Sequence, residues 1–139
     1  MISVRRFQLP DGGTFEIPEE WLAEARILGF EPTAPSYRPR TRFKGTLLAI
    51  KDIAPPSMAG RQHLDFGGFD HDRMIRILRA IVQDRPMPPV EVVRELEGRF
   101  PYSLYHGAHR YHASVAAGFP LVPVLVRKRW VPEVEAVVP

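Results

Sequence analysis

Apolar positions change their spacing several times along this chain, and each change marks a new element. Ser3–Leu9 and Thr14–Ile17 alternate apolar with polar residues and flank Pro10-Asp11-Gly12-Gly13, so a β-hairpin is expected there. From Pro18 onward the spacing becomes helical. Trp21, Leu22, Ala25 and Leu28 fall on one face, Glu19 and Glu20 occupy the first turn, and Gly29 stands just past the end. That pattern predicts a helix from Pro18 through Leu28. Residues 31–44 have no period. Pro32, Pro35 and Pro39 are interleaved with Arg38, Arg40 and Arg42 in what reads as an extended connector.

Past residue 45, strand-like and helix-like stretches alternate. Thr46–Ile53 reads as a strand stopped by Pro55-Pro56, and a loop with Gly60, Gly67 and Gly68 leads to a helix over His71–Gln83. In that helix Met74, Ile77, Leu78 and Ile81 follow the i, i+3, i+4, i+7 spacing of a core-facing stripe. Val90–Leu96 and Tyr102–Tyr105 read as paired strands around Glu97-Gly98-Arg99. A helix from about His109 to Ala117 closes at Gly118, and Val122–Arg127 is the final strand. The expected fold class is α/β of the mixed α+β kind: a small domain with a mixed sheet over residues 45–130. A hairpin, a helix and an Arg/Pro-rich connector precede it over residues 1–44, and a tail follows over 131–139.

Composition narrows the classes. With 139 residues, 45% hydrophobic and 25% charged, the chain is sized for one ordinary globular domain. No apolar run reaches the roughly 18 residues of a membrane span, and no signal-peptide core is visible, so a cytoplasmic protein is expected. There is no cysteine, which excludes disulfides, thiolate metal sites and a cysteine nucleophile. The net charge of +3 arises from 19 basic against 16 acidic residues, and arginine dominates the excess. A planar guanidinium suits phosphate, so a phosphorylated partner gains weight over a neutral one.

The chemistry concentrates between Tyr102 and Gly118. A strand delivers the chain to His106, Gly107 permits a tight turn, the small Ala108 follows, and a helix starts. Such a turn aims unpaired backbone amides and the positive end of the helix dipole at one point, where an anion belongs. Arg110 in the first turn offers a two-pronged contact, and His106 and His109 flank the turn as donors or proton carriers. Arg73 and Arg76 lie three apart on a polar face of the preceding helix, with Ala80 in line one turn on. On spacing alone they read as a solvated arginine face. Tyr102, Tyr105 and Tyr111 are candidates to stack on a base, or ordinary packing residues. His63, His71, His106, His109 and His112 lack a well-placed carboxylate, and no dedicated metal site is expected.

The ordered set Gly107-Ala108-His109-Arg110-Tyr111, Gly118 and Val122-Pro123-Val124 resembles the ParB/sulfiredoxin family, as do Pro88-Pro89-Val90-Glu91-Val92 and the aromatic strand Tyr102–Tyr105. ParB-type domains carry G-x-x-R-x-x-A, then A-G and I-P-V; sulfiredoxins carry G-C-H-R-Y after an aromatic strand. The resemblance spans roughly residues 46–128 and is loose before Arg73. It implies a nucleotide, ATP or CTP, whose phosphates contact Arg73, Arg76, His106, Gly107, Ala108, His109 and Arg110. A magnesium ion would arrive with the nucleotide, held mostly by phosphate oxygens and water. Glu91 stands where sulfiredoxin has an acidic residue, which implies an ion pair that orients Arg110 or a base near a phosphoryl acceptor. Hydrolysis or phosphoryl transfer, with Glu91 and His109 as catalytic candidates, is left open. Ala108 stands where sulfiredoxin has its catalytic cysteine, so thiol-based repair of sulfinic acid is excluded.

Two other classes compete with nucleotide binding. One is a DNA-associated, ParB-like partition factor or nuclease, whose Arg38, Arg40 and Arg42 would track a phosphate backbone without reading sequence, since no helix-turn-helix follows Gly118. The other is a protein-interaction domain whose phosphate cradle binds nothing.

Overall fold

The computed structural model describes residues 2–128. Strands β1 (Val4–Gln8) and β2 (Thr14–Pro18) pair antiparallel, with Phe7 opposite Phe15. Gly12 takes φ 90° in the turn, and Asp11 Oδ1 accepts the Gly13 N–H at 2.8 Å. Helix α1 (Glu19–Glu24) is shorter than its apolar spacing predicts. Arg26 adopts φ 61°, the Arg26 N–H donates to Ala23 O and the Ile27 N–H to Leu22 O, a Schellman closure without glycine. The reversal turns Ile27 inward beside Leu22 and leaves Leu28, expected on the apolar face, 45% exposed.

Helix α2 (His71–Val82) buries Met74, Ile75, Leu78, Ala80 and Ile81. Ile77, expected in the core, is only half-buried. The helix closes in the same way, with Asp84 at φ 53° and the Arg85 N–H donating to Ala80 O. Helix α3 (Ala108–Ala117) starts one residue before its expected position and ends at Gly118, φ 88°.

Five further strands are β3 (Thr46–Ala49), β4 (Ile53–Ala54), β5 (Val90–Arg94), β6 (Tyr102–His106) and β7 (Leu121–Arg127). They form one mixed sheet in the order β3-β7-β5-β6-β4. β3 runs antiparallel to β7, and β7 parallel to β5; β5 runs antiparallel to β6, and β6 parallel to β4. The single strand expected over Thr46–Ile53 is therefore split. The chain leaves β3, makes one 3-10 turn at Ile50–Asp52, and re-enters the sheet at its opposite edge. Four residue steps reach at most about 14 Å. The edges of a flat five-stranded sheet would stand about 19 Å apart. The sheet must curl, and the mixed α+β class expected from the chain is the one observed.

Val90, Val92, Val122 and Val124 point from the curled sheet into the core, where Tyr111 and Ala113 of α3 and Met74 and Leu78 of α2 meet them. Phe15 and Ile17 of the hairpin and Leu22 of α1 belong to the same cluster. Burying one such aliphatic side chain is worth about 1.5–3 kcal/mol, so the hairpin contributes substantially to this core. The tail expected from residue 131 lies outside the described residues. Among the described residues no helix is long and apolar enough to cross a membrane.

Candidate functional site

The end of β6 and the start of α3 form a turn that only glycine can make. Gly107 sits at φ 106°, ψ 35° as the N-terminal cap of α3. A Cβ there would lie 2.8 Å from Val90 Cγ1 and 3.2 Å from the Arg110 guanidinium. Backbone conformation and space exclude a side chain independently. The Tyr111 N–H makes the first intrahelical bond, to Gly107 O at 2.9 Å, and no side chain caps the helix. The amides of the first turn are thus left for another partner, with the helix dipole behind them.

This turn opens into a cavity of about 880 Å³. Six arginines line it: Arg40 from the connector, Arg61 from the loop before α2, Arg73 and Arg76 from α2, Arg85 just after α2, and Arg110 from α3. Ile77, Ala80, Met87 and Leu104 supply apolar wall, and no aspartate or glutamate is among the lining residues. The arginines are held from different directions. Arg61 Nε donates to Gly68 O at 3.0 Å, and Arg40 is carried by a connector fastened beside the cavity. There Tyr37 Oη donates to Pro88 O at 2.6 Å, the Met87 N–H to Arg38 O at 2.9 Å, and Arg38 pairs with Asp84 at 2.6 Å.

Arg110 carries the clearest sign of a missing partner. Its Nε is buried and has no hydrogen-bond acceptor. Burial is the main pull of this guanidinium below its ordinary range; Tyr37 and Glu91 oppose the shift, and Arg40 and Arg73 add to it. It stays cationic at neutral pH all the same. A buried N–H donor without an acceptor costs about 1–3 kcal/mol.

Of the residues singled out in the sequence, Arg73, Arg76, His106, Gly107, Ala108, His109 and Arg110 come together around this one cavity. Glu91 does not line it. Its carboxylate pairs with Arg127 at 3.4 Å on β7, and the ion pair expected with Arg110 is not formed. His109 is buried, and its Nε2 accepts the Asp70 N–H at 2.9 Å, so it fastens the start of α2. Burial first, then Arg61 and Arg73, lower its pKa to about 4. A proton-carrying role would require that bond to break.

Tyr111, considered for base stacking, is fully buried and donates to Ile53 O at 3.3 Å, so it packs and cannot stack on a ligand. Tyr102 is half-buried against the core. Tyr105 remains at the cavity wall, 60% exposed, with the Arg127 guanidinium 4.3 Å from its ring centre. His112 shares no site with His109. Its Nδ1–H donates to Ala108 O at 2.8 Å, and its ring sits between Phe15 and Phe69. His71 pairs with Glu24 and Asp72 at the start of α2.

Arg40, Arg61 and Arg85 are the lining residues that spacing did not bring to this site. Arg40 reads in the sequence as a solvated connector arginine, with DNA contact as the competing reading; Arg61 and Arg85 lie in aperiodic segments where nothing distinguishes them. The connector arginines do not form one row either, because Arg38 is engaged by Asp84 and Arg40 lines the cavity.

The cavity wall carries donors suited to phosphate oxygens and no carboxylate for a magnesium ion. The acids nearby are engaged: Asp70 caps α2, Asp84 pairs with Arg38, Glu91 with Arg127. Among the described residues no three histidine, aspartate or glutamate side chains converge as a metal site.

Comparison with solved structures finds a distant likeness to sulfiredoxin from Arabidopsis thaliana, at 25% sequence identity and a TM-score of 0.47, covering 60% of this chain and 84% of that one. No protein-family model and no curated protein matches the sequence.

Proposed function

We propose that this protein binds a nucleotide, with its phosphates on the first turn of α3 and within the ring of arginines. One observation carries the reading: six arginines and no carboxylate line a single cavity that opens at an uncapped helix start. A concentration of guanidinium groups with no carboxylate in the wall attracts an anion and offers it planar donor forks. The volume falls in the range of small-ligand pockets. Its apolar wall of Ile77, Ala80, Met87 and Leu104 offers a place for a nucleoside beside the charged part. Arg110, which lines the cavity, would grip a phosphate through its terminal guanidinium nitrogens, while the N–H groups of residues 108–110 donate to the same group.

The reading is one of binding rather than turnover. Glu91 is turned to Arg127, and His109 is held neutral with its Nε2 occupied, so neither is set to accept a proton from an attacking water. Calorimetric titration with ATP, CTP and GTP tests it: at least one should bind, and Arg110→Ala should weaken that binding. Absence of binding by all three would remove the reading.

A further inference from the structure

The lining of the cavity also specifies the charge state of what it holds. We infer that it takes the metal-free polyphosphate anion and that magnesium competes with the protein for the ligand. This rests on the phosphate reading of the cavity and goes beyond it.

The argument is one of charge and donors. Arg40, Arg61, Arg73, Arg76, Arg85 and Arg110 surround one volume, and no carboxylate shares its wall. The charges act on one another: Arg40 and Arg73 act on Arg110, and Arg61 and Arg73 act on the His109 ring. A magnesium ion bound to a polyphosphate removes about two of its negative charges and occupies oxygens that the guanidinium forks would use. It adds positive charge to a cavity already crowded with it, and Asp70, Asp84 and Glu91 are committed to other partners. Arginine here takes the place that a metal ion and its acidic ligands take in sites that handle phosphate as a metal complex. A monophosphate would leave most of the guanidinium charge uncompensated, so the ligand class is a di- or triphosphate.

Calorimetry on the full chain decides this with two probes, ATP and inorganic triphosphate. Each is titrated in EDTA and in excess magnesium chloride at matched ionic strength. Binding in EDTA that weakens by about tenfold or more in magnesium is the expected result. Equal affinity in both buffers, or tighter binding with magnesium, overturns the inference while leaving the phosphate reading in place. Triphosphate behaving as expected with no ATP binding sustains the inference and removes the nucleotide. No binding of either probe in either buffer overturns both.

Discussion

Helices α2 and α3 pack against each other, yet their first turns are finished in opposite ways. At α2, Asp70 Oδ2 accepts the Arg73 N–H, Asp65 Oδ2 accepts the His71 N–H, and His109 Nε2 accepts the Asp70 N–H. The protein supplies every one of these partners. At α3 the cap is Gly107, no side chain accepts from the first turn, and the arginine that follows has a buried Nε with nothing to donate to. A helix start is ordinarily satisfied by a side chain or by water. One start is closed by side chains of the protein; under the proposed reading the other takes the ligand.

The largest expected effect comes from closing the open start. Gly107→Ala combines a left-handed backbone with a Cβ 2.8 Å from Val90 Cγ1, and should cost about 2–3 kcal/mol of stability. Nucleotide binding should fall below detection at concentrations that saturate the wild type. Urea unfolding and calorimetry measure the two effects separately. Next, Arg110→Ala should weaken nucleotide binding by about 1.5–3 kcal/mol, the scale of a charge-assisted hydrogen bond, with the melting temperature unchanged or raised. A melting temperature that drops while affinity holds would assign Arg110 to the fold instead.

The third expectation concerns the histidines beneath the two starts. His112 is fully buried, and burial holds its pKa at about 4, below the unfolded value of about 6.5. The unfolded chain therefore binds more protons between those values, and stability falls as pH drops through that window. His112 alone should remove roughly 2 kcal/mol between pH 7 and pH 5. His109, lowered for similar reasons, acts in the same direction. His71 acts oppositely, since its hydrogen bond to Asp72 raises its pKa and its contribution is lost as pH rises. Urea unfolding at the two pH values measures the sum, and His112→Phe should flatten the profile. An unchanged slope in that variant would show that His112 titrates normally. The smallest effect belongs to the closed start: Asp70→Ala removes the α2 cap and should cost about 1 kcal/mol of stability, with nucleotide affinity nearly unaltered.

Half of this contrast is legible in the residues: His106-Gly107-Ala108 before Arg110 announces an uncapped helix start. The Asp70 cap at the other start emerges only from the structure. Hairpin, helices and most strands lie near their expected positions because apolar period and turn residues agree locally. What escaped is non-local. The end of α1 depends on Arg26 adopting a left-handed conformation that glycine usually marks. The splitting of Thr46–Ile53 between two sheet edges follows from curvature, which no local pattern encodes. Glu91 has a phosphate-site neighbourhood in sequence, but β7 brings Arg127 to it first. Arg40, Arg61 and Arg85 reach the cavity only through tertiary packing, Arg40 because Tyr37 and Arg38 fasten the connector beside Pro88 and Asp84.

The difference between the two helix starts can be read directly by nuclear magnetic resonance, following backbone amide shifts while ATP is added in EDTA. The largest shifts should fall on the amides of Ala108, His109 and Arg110, where phosphate oxygens would replace solvent. The amides of Asp70, His71 and Arg73, already bonded within the protein, should move less. Saturation with ATP that leaves residues 108–110 unmoved, or moves the start of α2 as much, would contradict the assignment of α3 as the phosphate-binding end.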